Sequence, residues 1–127
     1  MIDSHAHYDD KSFDEDRHEI LKKCLDEGVT HIVNAGTDVE SSRISVSLSE
    51  RYPFVYAAVG VHPHEASGWN DETLSELKEL TGRKKVVAIG EIGLDYHYDF
   101  SPREIQKEVF ARQIDFARSL KLPIIVH

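Results

Sequence analysis

Short runs in which nearly every position is apolar alternate along this chain with longer runs in which apolar residues recur every three or four positions. The short runs, Ile2–His5, His31–Asn34, Phe54–Val59, Val86–Ile89 and Pro123–Val126, predict β-strands. Because they are apolar on both faces, they read as parallel strands covered on both sides. The longer runs predict helices. The first carries Ile20, Leu21, Cys24 and Leu25 and stops at Gly28, a residue suited to a left-handed cap. The second opens on Thr37-Asp38-Val39-Glu40, where Thr37 can cap and Glu40 can complete a capping box. The third covers Asp71 to Leu80, with Leu74 and Leu77 expected inward. The fourth opens on Ser101-Pro102-Arg103-Glu104, a cap followed by a first-turn proline. It continues with the apolar stripe Ile105, Val109, Phe110, Ile114 and Ala117.

Each strand and the helix after it make a βα unit of roughly 30 residues. Four such units and a fifth strand define an α/β chain with a parallel sheet. A closed (β/α)₈ barrel takes about 250 residues, so the expected architecture is the parallel half of a TIM-type barrel. The 127 residues, 40% of them hydrophobic, suit one domain with a real core. No apolar run approaches the roughly 18 residues of a membrane span. The start, Met-Ile-Asp-Ser-His, lacks the basic and apolar regions of a signal peptide, so a cytoplasmic protein is expected. Cys24 is the only cysteine; it sits in a helical apolar pattern and reads as a structural thiol. The formal net charge of −8 argues against a basic surface for non-specific nucleic-acid binding. It leaves room for phosphate chemistry in one pocket, where divalent cations supply positive charge locally.

Candidate chemistry gathers at the C-terminal ends of the strands, where barrels of this kind keep their active sites. His5 and His7 close the first strand, two residues apart and therefore on one side of it. Gly60-Val61-His62-Pro63-His64 follows the third strand, Gly90-Glu91-Ile92-Gly93 the fourth, and His127 the fifth. Three imidazoles and a carboxylate without thiolate suit Zn²⁺, Mn²⁺ or Fe²⁺, or Mg²⁺ with more carboxylate and water. A buried Glu91 needs a counter-charge, either a metal or a nearby Arg or Lys. With its two oxygens it could bridge two cations. His62 and His64 read equally well as phosphate contacts or as caps on a backbone carbonyl. His18, His31 and His97 read as structural or solvated. The acidic stretch from Asp9 to Glu19 reads as a solvated helix face, with Asp9 a candidate to orient a ligand histidine.

Together, Ile2-Asp3-Ser4-His5-Ala6-His7-Tyr8-Asp9, Gly60-Val61-His62-Pro63-His64 and Gly90-Glu91-Ile92-Gly93-Leu94-Asp95-Tyr96 resemble the TatD family of metal-dependent deoxyribonucleases. Gln106, Phe110, Gln113 and Ala117, leading to Leu122-Pro123-Ile124-Ile125-Val126-His127, continue the resemblance to the last residue. It implies a (β/α)₈ barrel with two divalent metal ions (Mg, Zn or Mn) that hydrolyses phosphodiesters in DNA. On that resemblance His5, His7 and Glu91 would hold one metal, Glu91 and His127 the other, and His62 would lie in the substrate pocket. Glu91 would be the catalytic bridging group. Family members run about twice as far and add a histidine from the sixth strand and an aspartate from the eighth, so this chain corresponds to the N-terminal half, residues 1–127, without the C-terminal half. The partners expected are therefore DNA as substrate and either a missing second half or another copy of the chain, with no membrane. Two other functions stay open: a barrel amidohydrolase or phosphotriesterase-like hydrolase, and a non-catalytic or oligomer-completed fragment.

Overall fold

Five strands pair in sequence order, each parallel to the next, in a computed structural model that describes residues 1–127. They are β1 (Ile2–Ala6), β2 (His31–Ala35), β3 (Val55–Val59), β4 (Val86–Ile92) and β5 (Ile124–Val126). The helices between them are α1 (Arg17–Asp26), α2 (Val39–Arg51), α3 (Thr73–Thr81) and α4 (Arg103–Leu120). This is the expected half-barrel of four βα units and a fifth strand.

Outward-facing strand residues meet the helices in one main core. Ala57 and Val59 of β3 and Val86 and Ile89 of β4 pack with Val46, Leu77, Val109, Phe116 and Ala117 of α2, α3 and α4. A second cluster joins Leu21 of α1 to Ile32, Leu48 and Val55. The inner face carries the small side chains Ala35, Ala58 and Ala88, with Val33 and Ile125 beside them. Both lateral edges are uncovered: Ile2 is 65% exposed and Val126 53%. The expectation of strands covered on both sides therefore holds for β2 to β4 and fails at β1 and β5, the two edge strands of the sheet.

Several local expectations shift. The cap of α2 is Asp38, which accepts the Ser41 N–H at 2.7 Å while the Ser41 hydroxyl accepts from the Asp38 amide at 3.0 Å. Thr37 is one residue outside, and its carbonyl accepts the His62 N–H. Ser101 does not cap α4; its hydroxyl donates to the His64 carbonyl and accepts the Ser67 N–H, tying two loops together. In α3 the inward residues are Thr73, Leu77 and Leu80, a four-then-three spacing, whereas Leu74 is 38% exposed. In α4, Ile105 faces solvent and the buried stripe runs through Gln106, Val109, Gln113, Phe116 and Ala117. The acidic stretch is mostly turn and a 3₁₀ segment (Lys11–Phe13), with α1 starting only at Arg17. Cys24 is half-buried and reaches the Tyr8 hydroxyl.

Two helices end in the same double hydrogen bond. After α1, Val29 N–H bonds the Cys24 carbonyl and Gly28 N–H the Leu25 carbonyl, with Gly28 at φ 97°. After α4, Leu122 N–H bonds Ala117 and Lys121 N–H bonds Arg118, with Lys121 at φ 56°. Both are Schellman caps, one with the residue the conformation favours and one without. Lys121→Gly is expected to raise the thermal midpoint, by up to about 1 kcal/mol of stability. Gly28→Ala is expected to lower it by a similar amount; midpoints moving the other way would show that these caps carry no backbone strain.

Candidate metal centre at the strand ends

His5 lies on β1 and His7 just past its end, and their imidazoles turn to the same side as their spacing requires. His5 Nε2 is 3.0 Å and His7 Nε2 3.2 Å from one oxygen, Oε2, of Glu91. The other nitrogen of His7, Nδ1, lies 2.9 Å from the Ala35 carbonyl. A carbonyl only accepts, so Nδ1 carries a proton. A neutral His7 then presents an Nε2 lone pair to a carboxylate oxygen, an arrangement that calls for a positive charge between them. The hydrogen bond to Glu91 accordingly raises the His7 pKa, with burial opposing.

Glu91, on β4, is 5% exposed. Its ion-pair partners are His5, His7, His62 and His127, with no lysine or arginine among them. No Lys or Arg of residues 1–127 offers the salt-bridge alternative to this carboxylate. While Oε2 faces the β1 histidines, Oε1 is 2.8 Å from His127 Nδ1 and 3.8 Å from His62 Nε2. Burial alone would push the Glu91 carboxyl up, but hydrogen bonds from His7, His127 and His5 hold it well below the usual carboxylate range. The approach of β5 depends on Gly90, where a Cβ would stand 2.6 Å from Ile125 Cβ and 2.8 Å from its carbonyl oxygen. Any other residue there would displace the strand that delivers His127.

Around His127 the loops add Asp95, left without a role by sequence reasoning, and His64. His64 Nε2 lies 2.6 Å and His127 Nε2 3.0 Å from Oδ2 of Asp95. Backbone N–H groups of Tyr98 and His97, together with His64 and His127, hold the Asp95 carboxyl well below its ordinary range. Asp95 sits just after an apolar run, the same signal that singled out Glu91. His62 Nδ1 accepts the His64 backbone N–H, so the residue caps an amide where a carbonyl was expected. Its Nε2 faces His127 Nδ1 at 3.1 Å. Burial lowers the His62 pKa to about 4, so it is neutral at ordinary pH. The pKa of His127 is raised: burial opposes, but the Asp95 and Glu91 carboxylates outweigh it.

Two groups of side chains thus have potential ligand atoms within 4.8 Å of one another: His5, His7 and Glu91, and His62, His64 and His127. All of them except His5 line one cleft of about 450 Å³, bounded by nine residues, none of them hydrophobic. His18, His31 and His97 lie elsewhere, on Tyr52, Thr30 and Tyr98 respectively. Asp9 does not orient a histidine. It accepts from Asn34 Nδ2, while the Ala35 carbonyl holds His7.

Buried amides fix the loops that carry these groups. Asn34 Oδ1 accepts the Tyr8 N–H, Gln113 bonds both the N–H and the carbonyl of Val61, and Gln106 bonds the N–H and carbonyl of Asp95. Arg17 adds bonds to the Tyr8, Asp9 and Asp10 carbonyls.

Parallel βα units with a polar, histidine-rich C-terminal rim define the class of barrels whose chemistry is carried by the ends of the strands. Residues 2–127 match the family described as TatD related DNase, and the chain belongs to that family. It is 45% identical over 127 residues to the uncharacterized metal-dependent hydrolase YabD of Bacillus subtilis, covering 100% of this chain and 50% of that one. To the 3'-5' ssDNA/RNA exonuclease TatD of Cronobacter sakazakii it is 38% identical, with coverages of 100% and 48%. Among solved structures, YJJV, a TatD homolog from Escherichia coli, superposes with a TM-score of 0.91 at 35% identity, over 100% of this chain and 50% of that one. A TatD family hydrolase from Entamoeba histolytica gives 0.90 at 26% identity, with coverages of 100% and 49%. The chain spans about half the length of the relatives it matches.

NMR of the imidazole nitrogens without added metal should show His7 and His127 titrating above, and His62 below, an unperturbed histidine. The raised pair then stabilise the fold fully below about pH 6.5 and lose that contribution as pH rises through their own pKa values. The buried His62 works the other way, with stability lost as pH falls toward 4. Three coincident titrations near the free value would refute this electrostatic picture.

Proposed function

We propose that the chain is the N-terminal half of a (β/α)₈ barrel whose completed rim is a metal-dependent phosphodiester hydrolase acting on DNA. The observation that carries this is Glu91, buried on β4, with each carboxylate oxygen facing a separate set of imidazoles. The donors suit divalent cations: nitrogen and oxygen ligands, no thiolate, and ring nitrogens whose lone pairs converge on an oxygen already negative. His5, His7 and Glu91 would hold one ion, and Glu91 with His127 a second, of the Zn, Mn or Mg type. Bound there, two such ions supply an activated water nucleophile and neutralise the charge that develops on the phosphoryl oxygens.

The side chains have separable tasks in this reading. Glu91 links the two ligand sets and fixes their separation. The Ala35 carbonyl keeps His7 in the tautomer that offers Nε2 to the cleft. Asp95 orients His127 through the nitrogen that faces away from Glu91. With Nδ1 committed to the His64 amide, neutral His62 keeps its proton on Nε2 and would donate a hydrogen bond, without giving up the proton, to a non-bridging phosphate oxygen. The name of the Cronobacter relative, a 3'-5' ssDNA/RNA exonuclease, supports a nucleic-acid substrate.

Glu91→Ala is expected to lose bound metal and nuclease activity together. Activity should fall further than the about 10- to 100-fold that removal of a group behind the ligands costs. Elemental analysis showing unchanged metal content in that variant would refute the bridging role.

The uncovered edges of β1 and β5 support completion by a second half-barrel or a second copy. Residues 1–127 alone are expected to self-associate in light scattering. A stable 14.5 kDa species with a cooperative melt would overturn that expectation.

A further inference from the structure

We propose that the loop from Asp95 to Ser101 is a base-stacking platform, on which the Tyr98 and Phe100 rings receive a nucleobase of the strand whose phosphate lies over the histidine–carboxylate rim. This rests on the nucleic-acid reading above and adds to it how the strand, beyond the phosphate, is held. Tyr98 is 59% and Phe100 66% exposed, yet the two rings are stacked on each other, 5.4 Å apart at 18°. They border the metal centre directly. The Phe100 ring is 4.8 Å and the Tyr98 ring 5.7 Å from His64, both edge-on, and His64 shares the Asp95 carboxylate with His127.

The loop is built to hold these rings in place. Gln106 pinches its base, bonding Asp95 N–H and the carbonyls of Asp95 and Ser101. Asp95 Oδ1 accepts the N–H groups of His97 and Tyr98. Between the rings, Asp99 is left-handed at φ 55°, a conformation that L-residues seldom adopt. Arg103 grips both of its carboxylate oxygens at 2.8–3.0 Å. Tyr96 differs from the pair: its face is already covered by the Arg103 guanidinium, 4.5 Å from the ring centroid.

An aromatic surface beside a phosphate-handling rim suits a base. Stacking on a side chain is sequence-tolerant and worth about 1–3 kcal/mol per base. It also selects for single strands and free ends, because a base inside a duplex has no face to offer.

The test uses the intact protein and single-stranded oligonucleotides in which an abasic residue replaces each of the terminal nucleotides in turn. Tyr98→Ala and Phe100→Ala should each lower kcat/KM on the normal strand by about 5- to 150-fold, the equivalent of 1–3 kcal/mol, mostly through KM. On the strand abasic at the stacked position, wild type should already be slow and the substitutions should add little. Phe100→Leu keeps bulk without a π-face. It should abolish the quenching of a terminal 2-aminopurine that wild type shows by stopped flow before turnover, while Phe100→Trp should retain it. Equal losses on normal and abasic strands would assign the rings a structural role and overturn the proposal. No loss on either would show that other polypeptide covers them, and would overturn it too. A wild-type protein that binds no single strand at all would remove the nucleic-acid reading itself, a different result from one that cleaves strands irrespective of residues 98 and 100.

Discussion

A carboxylate taken out of water at the end of β4 is the constraint on which the rest of this structure depends. Glu91 is surrounded by imidazoles drawn from the ends of β1, β3 and β5, and by no permanent cation. A buried charge of this kind is tolerated only if it is paired and hydrogen-bonded. The imidazoles can meet that need in two ways, by carrying protons or by sharing a cation with it. Protons and cations therefore compete for one set of lone pairs, and the same geometry serves either occupant. Fold and chemistry are linked here: β5 must approach across Gly90 for His127 to reach the carboxylate, and the register of β1 decides that His5 and His7 reach it together.

Three of the side chains that anchor the rim loops are neutral amides, with Arg17 a charged addition on the loop after β1. Asn34, Gln113 and Gln106 are fully or almost fully buried, and each spends its amide on the backbone of a different rim loop. A charged anchor in those places would alter the potential in the cleft, and an apolar one would leave backbone groups without partners. The amide avoids both. It bonds an N–H and a carbonyl at once, as Gln113 does to Val61, and so fixes the loop that carries His62 without adding a charge to it.

Strand positions and the convergence of His5, His7, Glu91 and His127 were legible because both follow from short-range patterns. An apolar run locates a strand, and in a parallel sheet its C-terminal end locates the rim. The anchors were not legible from the same patterns. Gln106 and Gln113 look like polar residues on the solvent face of α4, and the apolar stripe rotates by one position, exposing Ile105, to accommodate them. Asp95 carried the signal of a carboxylate after an apolar run, but only the fold shows that it meets both His64 and His127. The helix caps failed for a related reason. Thr37 and Ser101 are good caps in isolation, and both are drawn into bonds with the loops around His62 and His64 that local sequence does not contain.

Charge resolves how an acidic chain, net −8, could handle a polyanion. Six of its seven arginines are committed to partners within the chain, and the seventh, Arg51, lies over the Tyr52 ring. Arg43, Arg83, Arg103, Arg112 and Arg118 all pair with carboxylates, and Arg17 is committed to backbone carbonyls and Asp14. No lysine or arginine lines the cleft. On the proposed function, divalent cations held between the imidazoles would supply the positive potential for a phosphate, a source confined to one point. Affinity along the rest of a strand would need a term that does not depend on charge, and the aromatic pair beside the rim would supply one. On the proposed function the division is physically coherent: cations would act on the single phosphate that reacts, stacking would hold the strand, and the acidic exterior would disfavour unproductive binding elsewhere on the surface.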